Sequence, residues 1–191
     1  MNYSKNQITN AGKILLTSKS QDEIDQAIKL INDWRASHMY PLNIMKTSLV
    51  KLLNQNSIVP VLISQRLKRL VSIIYKLDLN PQMGLGGMQD IGGYRAVLKD
   101  KKDLMKLHSL LQTNKSHKLI KINDYVSDPK PSGYRSIHYI YEYFSTTEKF
   151  NGLRIELQIR TKLQHNWATA VETAGIITKT SLKSSQGQTL G

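Results

Sequence analysis

Along the first part of the chain, apolar residues return every three or four positions. After Ser20 they fall at Ile24, Ala27, Ile28, Ile31 and Trp34, the recurrence of one helix face. Ser20 and Glu23 have the form of a capping box at its start. A second helix is predicted from near Pro41, with Leu42, Met45, Leu49 and Leu52 on one side. The segment IVPVLISQRLKRLVSIIYKL (58–77) predicts a third, broken near Pro60. Roughly the first 80 residues therefore read as helical.

After Pro81 the period changes. A glycine-rich turn, MGLGGMQD, leads into the short apolar stretch YRAVL and then a helix in DKKDLMKLHSLLQ (100–112). Strands are predicted in 117–126, 135–145 and 153–161, and a last helix in KLQHNWATAVETAG. In LRIELQIRT, Leu153, Ile155, Leu157 and Ile159 alternate with Arg154, Glu156, Gln158 and Arg160, so one strand face is apolar and the other densely polar. Helices followed by a β-α-β-β-β-α run predict an α+β fold, a mixed or antiparallel sheet with helices packed on it. The division expected is a helical region over 1–57, an α+β domain over 58–178 and a loose tail over 179–191.

Composition narrows the chemistry. There is no cysteine, which removes disulfides, thiolate catalysis and Cys-ligated zinc. No apolar run is long enough to span a bilayer and the N-terminus is not a signal peptide, so the expectation is a soluble, cytoplasmic protein with no membrane partner. The formal net charge is +13, which favours a nucleotide, RNA or another polyanion as partner. HExxH, GxSxG, GxGxxG and Walker A patterns are all absent, which disfavours zinc hydrolases, serine hydrolases and the common phosphate loops.

Four stretches concentrate the remaining polar residues. In RLKRLVSIIYK, Lys68, Ser72 and Lys76 stand at i, i+4 and i+8, a row that would grip a polyphosphate if the segment were helical; a solvated basic face is the plainer alternative. In DIGGYR, Asp90 and Arg95 flank two glycines. In DYVSDPKPSGYRSIH, two prolines stiffen a loop that carries Lys130 and Tyr134, with His138 beyond; a hairpin connection is the alternative. In the last strand, Glu156 is the one carboxylate on the polar face, a candidate Mg²⁺ ligand or proton acceptor, or else simply the partner of its flanking arginines.

Taken in order, these stretches resemble the synthetase domain of the RelA/SpoT family, the alarmone synthetases. The resemblance covers roughly 60–175 and rests on Arg66, Lys68, Ser72, Ile73 and Lys76; on Asp90 and Arg95; on Asp124, Tyr125, Pro129, Lys130, Gly133, Tyr134, Ser136 and His138; and on Glu156, Gln158, Ile159, Arg160 and Thr161, with Trp167, Ala168 and Glu172 after them. It implies a nucleotidyltransferase-like mixed sheet and transfer of the β,γ-pyrophosphate of ATP to the ribose 3′-hydroxyl of a guanosine nucleotide. By the same likeness Arg66 and Arg95 would clamp the adenine, and Lys68, Ser72 and Lys76 would hold the ATP phosphates. Asp90 and Glu156 would meet at Mg²⁺, with Glu156 also taking the hydroxyl proton. Tyr134 would stack on the acceptor base, and Lys130, His138, Gln158 and Arg160 would complete the acceptor side. Ser132 stands where relatives often have Asn. The N-terminal residues contain no HD dipeptide, so product hydrolysis is not expected. Three alternatives stand beside this reading: a toxin-like member acting on the 3′-CCA end of tRNA and restrained by an antitoxin, an adenosine acceptor, and an inactive RNA-binding module. Homo-oligomeric assembly is also expected.

Overall fold

The computed structural model describes residues 3–114, 116–146 and 148–178. Three helices come first: α1 (Lys5–Thr17), α2 (Gln21–Ser37) and α3 (Met39–Gln55). Ser20 caps α2 as its sequence predicts, its hydroxyl accepting from the Glu23 N–H. The return half of the expected box is missing there, since the Glu23 carboxylate accepts from Ser18 Oγ; the full capping box starts α1, where Ser4 accepts from the Gln7 N–H and the Gln7 side chain accepts from the Ser4 N–H. Then follow β1 (Leu62–Leu67), α4 (Leu70–Asp78), β2 (Gly92–Leu98), α5 (Lys101–Thr113), β3 (Lys118–Asp124), β4 (Ile137–Glu142), β5 (Arg154–Thr161) and α6 (Lys162–Ile177). The expected tail, 179–191, lies outside the described residues.

The structure corrects the helix predicted over 58–77. Leu62–Leu67 is a strand, and only Leu70–Asp78 is helical. Periodicity cannot separate a short apolar run in a strand from one in a helix. Here the tertiary partner decides, because β1 pairs antiparallel with β2 from Leu62↔Val97 to Leu67↔Gly92. Lys68 extends that ladder, its N–H donating to the Ile91 carbonyl at 2.8 Å. Lys68, Ser72 and Lys76 therefore do not share a helix face: Lys68 stands at the strand end, and Ser72 and Lys76 lie one turn apart on α4.

The five strands run in the order β1-β2-β5-β4-β3. β2 and β5 are parallel and the other neighbours antiparallel, so the α+β fold with a mixed sheet is as expected. One sheet face is closed by α3 and α5. Leu42, Met45, Leu49 and Leu53 from α3 and Leu104, Leu107 and Leu111 from α5 share a core with Tyr94, Ala96, Tyr139, Leu157 and Ile159. A second core joins α1, α2 and α4 through Ile8, Ile31, Trp34, Ile73 and Leu77, with Ile91 and Leu153 at the strand starts. Between them sits His38, 1% exposed, whose Nδ1–H donates to the Trp34 carbonyl at 2.9 Å. Burial pushes its pKa down from 6.5 to about 4. The opposite sheet face carries the candidate site.

Candidate functional site

Strand register lines up a polar row across the whole sheet. Ser64 lies opposite Arg95, Arg95 opposite Gln158, Gln158 opposite His138, and His138 opposite Asn123. One step along, Arg66 faces Gly93 and Gly93 faces Glu156. Alternation places all of these on the face away from α3 and α5. Gly93 leaves the space opposite Glu156 open, and a cavity of about 220 Å³ lies there, lined by Arg66, Asp90, Gly93, Arg95, Glu156 and Gln158 among others.

Asp90 enters this cavity from the turn before β2 and is gripped by two lysines. Lys68 Nζ is 3.0 Å from Oδ2 and Lys76 Nζ is 2.9 Å from Oδ1. The predicted helical row is thus wrong in its geometry, yet two of its three members still converge. Burial alone would raise the Asp90 carboxyl, but Lys76 and Lys68 outweigh it and hold the pKa below the usual carboxylate range. The Arg95 pKa is lowered as well, here chiefly by burial, with the positive charge of Arg66 adding to the effect. Both arginines expected to clamp a base line this cavity.

Glu156 is held by hydrogen-bond donors rather than by lysines. His138 Nδ1 donates to Oε1 at 3.0 Å, and Gln158 Nε2 donates to Oε2 at 2.7 Å. Burial raises the Glu156 carboxyl, but those bonds and the His138 ring prevail and its pKa ends below the ordinary value. The chain of contacts continues on both sides. Tyr134 Oη meets His138 Nε2 at 2.9 Å. Gln158 Oε1 accepts from Arg95 Nε at 3.1 Å and Nη2 at 2.9 Å. Tyr134, His138, Glu156, Gln158 and Arg95 are one connected network. Asp90 and Glu156 together offer hard oxygen donors suited to a Mg²⁺ ion that keeps waters and binds phosphate oxygens. No group of three or more His, Asp or Glu able to hold a metal occurs among the described residues.

The loop 125–134 covers the other end of this face. Asp124 accepts from the N–H groups of Val126 and Ser127, and the Gly133 N–H donates to the Lys130 carbonyl at 2.8 Å. Gly133 has φ +80°, and a Cβ there would lie 3.3 Å from the Trp167 ring of α6, so both the backbone and the space favour glycine. Lys130 Nζ sits 4.7 Å from the centre of the Tyr125 ring and 5.6 Å from that of Tyr134. Tyr134 is only 9% exposed, edge-on to Tyr125 and His138. Its ring is packed into the loop and not open as a platform. Arg160 is 2% exposed, and its Nε has no hydrogen-bond partner among the described residues. Burial and the charge of Arg95 push its pKa down to about 10, so it stays cationic at neutral pH.

Sequence reasoning missed Ser64 and Gln65, which line the cavity from β1; reading that segment as helix concealed them. Tyr125 lies closer to Lys130 than Tyr134 does, so the ring the sequence leaves without a role is the nearer one.

Residues 65–183 match the family described as the region found in RelA/SpoT proteins. The GTP pyrophosphokinase YwaC of Bacillus subtilis is 30% identical over 110 residues, covering 54% of this chain and 52% of that protein. The GTP pyrophosphokinase YjbM of the same organism is 31% identical over 110 residues, covering 56% and 52%. The chain thus spans about half the length of these curated relatives. Among solved structures, the small alarmone synthetase 1 of Bacillus subtilis bound to its product pppGpp superposes with a TM-score of 0.69 at 24% identity, covering 78% of this chain and 81% of that one. That likeness shows the fold.

Proposed function

The chain belongs to the RelA/SpoT family, and on that footing we propose that it is an ATP-dependent pyrophosphotransferase that makes a (p)ppGpp-type product on a guanosine nucleotide. The observation that carries the proposal is the pairing of two differently held carboxylates, Asp90 and Glu156, on one cavity between a cationic end and an acceptor loop. A binding module for phosphates would gain nothing from negative charge there. The names of the matched relatives support the same chemistry, and a solved neighbour holds pppGpp.

In this reading the donor adenine lies between Arg66 and Arg95, whose guanidinium planes suit stacking. Lys68, Ser72 and Lys76 meet the donor phosphates. The bound Mg²⁺ would be held by Asp90 and Glu156 and would supply charge neutralisation at the transferred group. The acceptor enters beside Lys130, Tyr134 and His138, with the buried Arg160 providing fixed positive charge. Its 3′-oxygen attacks the β-phosphorus of ATP in line, and the bond from that phosphorus to the α,β-bridging oxygen breaks. AMP leaves with those bonding electrons, and Glu156 receives the hydroxyl proton. Its pKa below the usual range leaves it ionised at neutral pH, and therefore without a proton before the step, though a weaker base than an ordinary glutamate. Most of the catalysis assigned here is positioning.

The test is a transfer assay with ATP labelled on the γ-phosphate, Mg²⁺, and GDP, GTP, AMP, ATP or deacylated tRNA offered separately. Label in guanosine tetra- or pentaphosphate is the expected result. Label only on tRNA or only on an adenosine nucleotide would replace the acceptor, and no label anywhere would remove the enzyme reading. None of the described helices is long and apolar enough to cross a membrane, which suits an assay in plain buffer.

A further inference from the structure

The Gln158 side chain occupies a position that needs an acceptor on one side and a donor on the other, and its carboxamide supplies both. On one side it meets a guanidinium, Arg95, which can only donate; on the other it meets a carboxylate, Glu156, which can only accept. The two contacts fix its orientation: Oε1 takes both N–H bonds from Arg95, and Nε2 donates to Glu156. A glutamate would place a second carboxylate against the first, and an aliphatic residue would leave both groups without this partner.

The geometry around Gln158 says what it prevents. Arg95 and Gln158 are direct neighbours across the parallel β2–β5 pair, and Glu156 is one diagonal step away, opposite Gly93. Gly93 has no side chain to stand between them. Arg95 already senses the Glu156 charge. A guanidinium and a carboxylate at such range tend to close into a forked ion pair, the strongest contact open to either. That pair would pull Arg95 from the donor base and spend the Glu156 oxygens on the arginine rather than on metal and proton.

We infer that Gln158 is a spacer: it holds Arg95 and Glu156 apart and fixed, so that the arginine serves the donor and the carboxylate stays free for chemistry. This assigns Gln158 a positioning role in place of the acceptor contact expected from the sequence, and it rests on the function proposed above. His138, which lies opposite Gln158 on β4, holds the other Glu156 oxygen, so the carboxylate keeps one anchor when Gln158 is removed and is free to turn towards Arg95.

The spacer role makes a prediction that simple structural support does not. In Gln158→Ala, kcat falls about 100-fold and KM for ATP rises several-fold, because Arg95 and Glu156 capture each other. Arg95→Ala alone loses a donor contact and lowers kcat/KM for ATP. The double variant Arg95→Ala/Gln158→Ala then regains about tenfold in kcat over Gln158→Ala, since no arginine is left to capture the carboxylate. Losses in the double variant that are additive or larger would overturn the spacer role. A crystal structure of Gln158→Ala reads the same point without any activity: an Arg95–Glu156 contact within salt-bridge distance is expected, and two side chains that stay apart would overturn it. Gln158→Ser serves both measurements if the alanine variant does not fold. The parent enzyme in the transfer assay tests the proposed function separately, so an inactive parent and an absent capture contact are distinguishable failures.

Discussion

The two faces of the β2–β5 strand pair are made by the same two stretches of chain, yet they are stabilised in opposite ways. On the face towards α3 and α5, Tyr94, Ala96, Leu98, Ile155, Leu157 and Ile159 are all buried in one apolar core. On the other face Arg160 is buried and Arg95, Glu156 and Gln158 half-buried, and Arg95, Gln158, Glu156 and His138 are tied to one another by hydrogen bonds. The apolar face gains from water exclusion and has no preferred partners. The polar face is held by directed contacts, each of which leaves a buried group unsatisfied if its partner is removed. Substitutions on the first face are therefore expected to be read in stability, and those on the second in chemistry.

The sharpest test of that contrast is Glu156→Gln. It keeps the shape and removes the charge, and kcat is expected to fall by about 10²–10⁴-fold while the melting temperature stays close to that of the parent. A variant with intact activity would show that the two faces do not divide the work in this way. The mirror experiment is Leu157→Ala, one residue along on the opposite face and 0% exposed. It should cost about 2–5 kcal/mol in urea unfolding, with the remaining folded protein keeping its KM for ATP.

A pH series separates the cores further. His38 is neutral in the fold, with its pKa lowered to about 4. Between pH 6.5 and about 4 the unfolded chain binds a proton that the folded chain refuses, so stability falls as the pH drops through that window. The full effect is about 3 kcal/mol. His117, also lowered by burial, acts in the same sense. Asp90 and Glu156 have depressed pKa values, so their contribution is lost only at lower pH, as they protonate. Urea midpoints measured from pH 7 to pH 4 should slope downwards in the parent and more shallowly in His38→Gln. Equal slopes would place the titrating group elsewhere. The smallest effect is expected outside both faces: the Lys118–Glu142 pair at 3.5 Å has its lysine side chain 61% exposed, and Lys118→Ala should change stability by less than about 1 kcal/mol.

Much of this arrangement was legible in the chain. The alternation in LRIELQIRT identified β5 and its two faces, and the helical periods placed the starts of α2 and α3 and both ends of α5 to within a residue or two. The strand β1 was not legible, because VLISQRL is short and lies at a sheet edge, where half-exposed residues blur the pattern. That single error turned Lys68, Ser72 and Lys76 into a helical row. The structure replaces the row with two lysines that arrive from different elements at Asp90, a residue whose spacing in the sequence gave no hint of either partner.

By itself, the sequence determined which residues share a face of β5, where α2, α3 and α5 begin, and the family to which the chain belongs; local periodicity and ordered motifs carry that information. Only the tertiary structure decided who meets whom: Arg95 opposite Gln158, His138 on Glu156, and Lys68 with Lys76 on Asp90. Alternation tells a side chain which way to point, but neighbours on a sheet are set by strand order and register. Those are fixed by packing between segments far apart in the chain, where a shift of one residue would turn every side chain to the other face.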